Sequence, residues 1–259
     1  MPATFLLEWT FAPLDLFEER IEYSARNASF VIDTGRADAR IPDDGAQDPG
    51  ALHTELHEDL NAQFLAAQAL SHRAYTLTKP KVSRLHDDGR RDAWIFVEGV
   101  ASMAVVGGTV DFKIQDAAGN VTRDTRKERI EHRKTVASLA AACIDDPAVD
   151  SILRSYAAAV SDPRNELIHL YEIREALATQ FGGKGKVKVA LNISETKWST
   201  LGRLADNEPL REGRHRGEQL GALRDAKKEE LETARKIARE MIEAYLAHLG
   251  KKAKPPNAP

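Results

Sequence analysis

The feature that most constrains this chain is a change of period near residue 125. Before it, apolar residues alternate or run in short aromatic blocks; after it, they recur at three- and four-residue spacing. A side-chain period of two belongs to a half-buried strand, and one of 3.6 to an amphipathic helix. The expected class is therefore α+β. An N-terminal, mainly antiparallel β domain is expected over 1–125 and a bundle of about five helices over 126–250. A disordered polar tail is expected over 251–259.

Charge divides in the same place. Up to Thr125 there are 12 Lys and Arg against 20 Asp and Glu, a net of −8; from Arg126 onward 25 face 20, a net of +5. Opposite signs point to two domains, with any polyanion drawn to the second. A chain of 259 residues, 42% of them hydrophobic, is long and apolar enough for real cores. No run approaches the roughly 18 apolar residues of a membrane helix, so no membrane partner is expected. The opening MPATFLLEWTF has neither a basic start nor a cleavage site, and Cys143 is the sole cysteine. A secretory signal, a disulfide scaffold and a cysteine-based zinc site are not expected, and the expected location is the cytoplasm.

In the first half, 5–11 and 30–32 read as strands, the latter running into the turn Thr34-Gly35. Two hairpins are expected, at 81–85 with 94–97 around Asp87-Asp88-Gly89, and at 110–115 with 121–122 around Gly119-Asn120. Residues 37–50, with four Asp, two Pro and two Gly, read as an exposed loop, and 51–70 as a helix. In the second half, Asp162-Pro163 reads as a helix start with the carboxylate as its cap, and Gly182-Gly183 as that helix's end. The clearest helix carries Leu231, Ala234, Ile237, Ala238, Met241, Ile242, Tyr245 and Leu249, and Gly250 is expected to end it.

Most chemical motifs are missing. Gly182-Gly183-Lys184-Gly185-Lys186 follows a helix rather than a strand, so no helix N-terminus is expected behind it to receive a phosphate. His53 and His57 share a helix face but lack the metalloprotease order, and they read as solvated surface histidines. No metal or other cofactor is expected. Asp15, Glu18, Glu19 and Glu22 read as a solvated acidic face; Trp9, Trp94 and Phe96 read as core.

Two segments remain. Arg164-Asn165-Glu166-Leu167-Ile168-His169 resembles the R-x(4–6)-H signature of HEPN domains, helical bundles of prokaryotic toxin, defence and RNA-processing systems. Asn165 fits the polar residue common after that arginine. The stretch from about 163 to 249 also resembles a C-terminal module of bacterial proteins, some described as HEPN-like. The likeness rests on Leu170-Tyr171-Glu172, Gly182-Gly183, a helix with Trp198, an Arg-His element and the terminal Tyr245-Leu246. The resemblance implies a metal-independent ribonuclease, with Arg164 holding the scissile phosphate and His169 moving a proton during attack by the RNA 2′-hydroxyl. Residues five apart lie about 140° apart around a helix, so the resemblance implies a homodimer in which two motifs meet. A second such spacing, Arg126 to His132, has Lys127 in the place of the Asn.

The other segment holds Arg211, Arg214, His215 and Arg216. If helical, it puts Arg211 and His215 on one face, although Gly213 and Gly217 weaken that reading. Arg214 and His215 are then a phosphate-facing pair supported by Arg211, with Arg164 and His169 as the adjacent or alternative pair. The competing reading is an ion-pair network in which Arg214 or Arg216 meets Glu172, Glu175 or Asp206. Trp198 is the sole candidate stacking platform nearby. Two functions stay open: a HEPN-like protein binding or cleaving RNA, with the β domain sensing a partner or restraining the bundle, and a non-catalytic interaction or scaffold protein. A hydrolase site in the acidic β domain has no convergent motif behind it.

Overall fold

The computed structural model describes residues 3–86, 88, 90–94, 113–115, 121–214 and 223–253. The fold is α+β: an antiparallel sheet followed by a mainly helical C-terminal part. Two compact units divide the chain, one of Met1–Ala67 with Arg73–Ala141 and one of Gln68–His72 with Ala142–Pro259.

In the first unit, β1 (Thr4–Ala12), β2 (Ile21–Ala25), β3 (Ala28–Asp33) and β4 (Arg36–Pro42) precede α1 (Pro49–Ser71). Then come β5 (Thr76–Leu77), β6 (Lys81–Leu85), β7 (Arg91–Trp94), the pair β8 (Lys113–Gln115) and β9 (Val121–Asp124), and α2 (Thr125–Ala142). The main sheet runs β2-β3-β4-β1-β6-β7, with β5 on the end of β1. Phe5, Leu7, Trp9 and Phe11 alternate onto one face of β1 and join Leu52, Leu56, Leu60 and Phe64 of α1 in one core. Phe64 meets the rings of Phe11 and Phe17 edge-on at 5.0 and 4.9 Å. Burying side chains of this size stabilises by about 1.5–3 kcal/mol each, which fixes the strand register.

The loop expected over 37–50 is overturned in its first part. Residues 36–42 form β4, because Ala37, Ala39 and Ile41 alternate inward while Asp38 and Arg40 take the other face. The acidic composition hid a period of two. Thr34-Gly35 makes the expected turn, with Gly35 at φ +76°. Leu14 packs so close that a Cβ at Gly35 would lie 2.4 Å from its Cδ2. β6 pairs β7, with Val82 opposite Trp94, and β8 pairs β9. The expected turn residues Asp87, Gly89, Gly119 and Asn120, and Phe96, lie outside the described residues.

The second unit holds α3 (Pro147–Ser161), a 3-10 turn (Pro163–Asn165), α4 (Glu166–Phe181), α5 (Lys184–Leu191), α6 (Glu195–Gly202), a π turn (Arg203–Asn207) and α7 (Lys228–Ala253). Asp146 caps α3 by accepting from the amides of Ala148 and Val149, and Pro147 sits where a missing N–H costs nothing. Tyr245 of α7 donates to the same carboxylate at 3.1 Å. α3, α4 and α7 pack around Ile152, Tyr156, Leu170, Ile173, Met241 and Ile242.

Two expectations change here. Residues 184–191 form α5, because Val187 and Leu191, four apart, are both buried. A helix N-terminus therefore does follow Gly182-Gly183, contrary to the sequence reading. Gly250 does not end the last helix, which runs on to Ala253; residues 254–259 lie outside the described residues. At an exposed helix end the cost of a glycine is only about 1 kcal/mol.

Candidate functional site

Arg164 and Asn165 stand in the 3-10 turn and His169 in the first turn of α4. The Asp162 carboxylate does not cap the helix amides. It accepts from Asn165 Nδ2 at 2.6 Å and lies 3.8 Å from His169 Nε2, and these two neighbours hold it below the usual carboxylate range. His169 Nδ1 is 3.4 Å from Glu172. The imidazole thus sits between two carboxylates, whose negative charge repels a phosphate.

Arg211 and Arg214 are not on a helix. Residues 208–214 are extended and then turn. The amide of Arg211 donates to Arg224 O at 3.0 Å and that of Arg214 to Ala205 O at 2.8 Å. Gly213 explains the turn, since a Cβ there would press on the carbonyls of Ala205 and Leu210 at 3.1 and 3.3 Å. The helical face expected for Arg211 and His215 is therefore absent, and His215 and Arg216 lie outside the described residues. Arg214 Nη1 donates to Glu175 Oε1 at 3.1 Å, and its guanidinium lies 4.6 Å from the Tyr171 ring centroid. Arg211 faces Asp225 at 3.4 Å. Arg224 forks onto Glu230 at 2.7 and 2.8 Å and reaches Glu208, which also pairs with Arg203. Arg214 thus meets α4 at Tyr171 and Glu175, and Glu175 lies about 9 Å along the helix axis from His169. Asp162 gathers Asn165 and His169; Arg214 belongs to a separate group.

Three residues with strong chemistry were missed. Glu166 is 1% exposed and takes a bidentate fork from Arg235 at 2.5 and 2.7 Å. His72 lies 3.8 Å from the same carboxylate and shares a hydrogen bond with Tyr156 Oη at 3.3 Å. Arg174 lies 4.7 Å from the Tyr171 ring and 4.8 Å from that of Trp198. Trp198 is buried at 2% exposure beneath it and cannot serve as a stacking platform for a base. A spacing cue existed for Arg174, three residues after Tyr171, but nothing local marked Glu166 as buried.

Comparisons with protein families, with curated proteins and with solved structures each found no match.

The first unit corrects two further expectations. His53 is buried, not solvated, and His57 Nδ1 accepts from the Trp9 indole at 3.1 Å. Burial, helped by Lys79 and His53, lowers the His57 pKa to about 4. Glu18 is not a solvated acid either. It receives Arg129 at 3.0 Å and Arg133 at 2.5 Å, while Glu19 receives Arg126 at 3.2 Å. Glu18→Ala strands guanidiniums on one face of α2, and a loss of about 1.5–3 kcal/mol in urea unfolding is expected, against little change for Glu22→Ala. A cavity beside Phe17 and Ile130 has about 30 Å³, room for roughly one water. Among the described residues no three His, Cys, Asp or Glu side chains could hold a metal ion, and no helix is long and apolar enough to cross a membrane.

Proposed function

We propose that the second unit is a non-catalytic interaction module, in which the arginine-rich segment is an ion-pair network that fixes the chain between α6 and α7 onto α4. The observation that carries this reading is the engagement of Arg214, hydrogen-bonded to Glu175 and stacked on Tyr171. Arg211, Arg203 and Arg224 also face carboxylates, which leaves little free positive charge for a nucleic-acid backbone among the described residues of this segment. A cytoplasmic location accords with the single cysteine.

The test combines a double-mutant cycle with a cleavage assay. Arg214→Ala and Glu175→Ala are expected to couple by about 0.5–1 kcal/mol, the range for a half-exposed pair. Mixed RNA incubated with the full chain in EDTA is expected to stay intact. Cleavage that disappears in His169→Ala would instead establish the second reading, a HEPN-like, metal-independent ribonuclease acting as a homodimer. That reading draws on Arg164 and Asn165 standing in the 3-10 turn that leads directly into α4, which carries His169 near its start.

A further inference from the structure

Arg174, on α4, differs from the arginines between α6 and α7. Its guanidinium is half-buried, lies within 5 Å of two aromatic ring centroids, and has no hydrogen-bond acceptor or carboxylate among the described residues. Cation–π contact holds such a group in place but does not satisfy its N–H donors as hydrogen bonds. The space for it is built into the backbone. Position 202, at the end of α6, is glycine, and a Cβ there would lie 2.0 Å from Arg174 Nη1. A second donor is also unmet at this contact, since Trp198 Nε1 is buried with no hydrogen-bond partner. A buried polar group left this way costs about 1–3 kcal/mol and calls for an explanation. Arg214, on the same Tyr171 ring, adds a second guanidinium whose charge is shared with Glu175.

We infer that Arg174, held by Tyr171, Trp198 and the missing side chain of Gly202, is the seat of a phosphate group. One guanidinium fork covers the two coplanar oxygens of a carboxylate. Here unmet donors come from both a guanidinium and an indole, and a second guanidinium lies on the same Tyr171 ring. A tetrahedral anion, with oxygens in several directions and more than one negative charge, suits that set better. The inference rests on the reading of this unit as a binding module and gives it a ligand class.

The experiment is calorimetric titration of the full chain with inorganic phosphate, with acetate and a short single-stranded RNA as parallel arms. Phosphate is expected to bind with millimolar affinity, and Arg174→Ala to weaken it by about ten-fold or more. Gly202→Ala keeps every charge and displaces only the guanidinium, so an equal loss is expected, with circular dichroism confirming the helices. Glu175→Gln should not weaken binding. RNA binding with the same dependence on Arg174 identifies the source as a phosphodiester backbone; phosphate binding without RNA binding identifies a free phosphate or monoester. Absence of phosphate binding, binding indifferent to Arg174→Ala and Gly202→Ala, or acetate binding as tight as phosphate overturns the inference. RNA cleavage in EDTA overturns the non-catalytic reading instead, so the two fail separately.

Discussion

Glu166→Gln is expected to lower the unfolding free energy of the second unit by about 3–4 kcal/mol, the largest effect of any single polar substitution considered. The shape of the side chain survives and one oxygen remains, but the negative charge is gone and an amide N–H donor faces Arg235 in place of the second oxygen, while the arginine side chain stays only 25% exposed. Breaking a buried pair from one side leaves an uncompensated charge, which costs more than the intact pair contributes. The double substitution Glu166→Leu with Arg235→Met removes both charges, and most of the loss is expected to return. Urea unfolding followed by circular dichroism measures both variants. A loss under 1 kcal/mol for Glu166→Gln would mean that solvation by water, rather than the Glu166 charge, stabilises Arg235.

The second large effect is acid destabilisation between pH 6.5 and pH 4. His57 and His72 both have pKa values pushed down to about 4, by burial first and then by the nearby cations Lys79 for His57 and Arg235 and Arg239 for His72. An unfolded histidine titrates near about 6.5. Between those values the unfolded chain holds protons that the folded chain refuses. The stabilisation is therefore complete above pH 6.5 and is lost as pH falls toward 4. Each group adds a slope of up to about 1.4 kcal/mol per pH unit. Geometry gives the same sign, because the Trp9 indole donates to His57 Nδ1, which must then carry no proton. Glu195 and Glu230, held near 2 by their cationic partners, lose their contributions only below about pH 4.5. The slope from pH 6.5 to 4.5 thus belongs to the histidines. Urea midpoints across this range are expected to fall steeply in the natural chain and less steeply in His57→Gln and His72→Gln. An unchanged slope in both variants would assign the acid sensitivity elsewhere.

The candidate sites were legible only in part. Arg164, Asn165 and His169 could be named from spacing, and the helix start that carries them follows from Asp162-Pro163. Their partners could not, because Asp162 turned its carboxylate to Asn165 and His169 rather than to the helix amides. Gly213 warned against a helix through Arg211 and His215, and the turn at that glycine bears the warning out. His57 misled in the opposite direction: polar spacing on a helix gave no sign that Trp9, 48 residues earlier, would cover it.

What the sequence by itself determined is the α+β class, the strand and helix periods, the Thr34-Gly35 turn, and the end of α4 at Gly182-Gly183. These are local properties, set by backbone sterics and by neighbours two to four residues apart. Only the tertiary structure decided that Glu166 is buried on Arg235, that Glu18 gathers the arginines of α2, and that Arg214 has a carboxylate while Arg174 has none among the described residues. An ion pair depends on which distant side chains folding brings within about 4 Å, and no periodicity carries that distance.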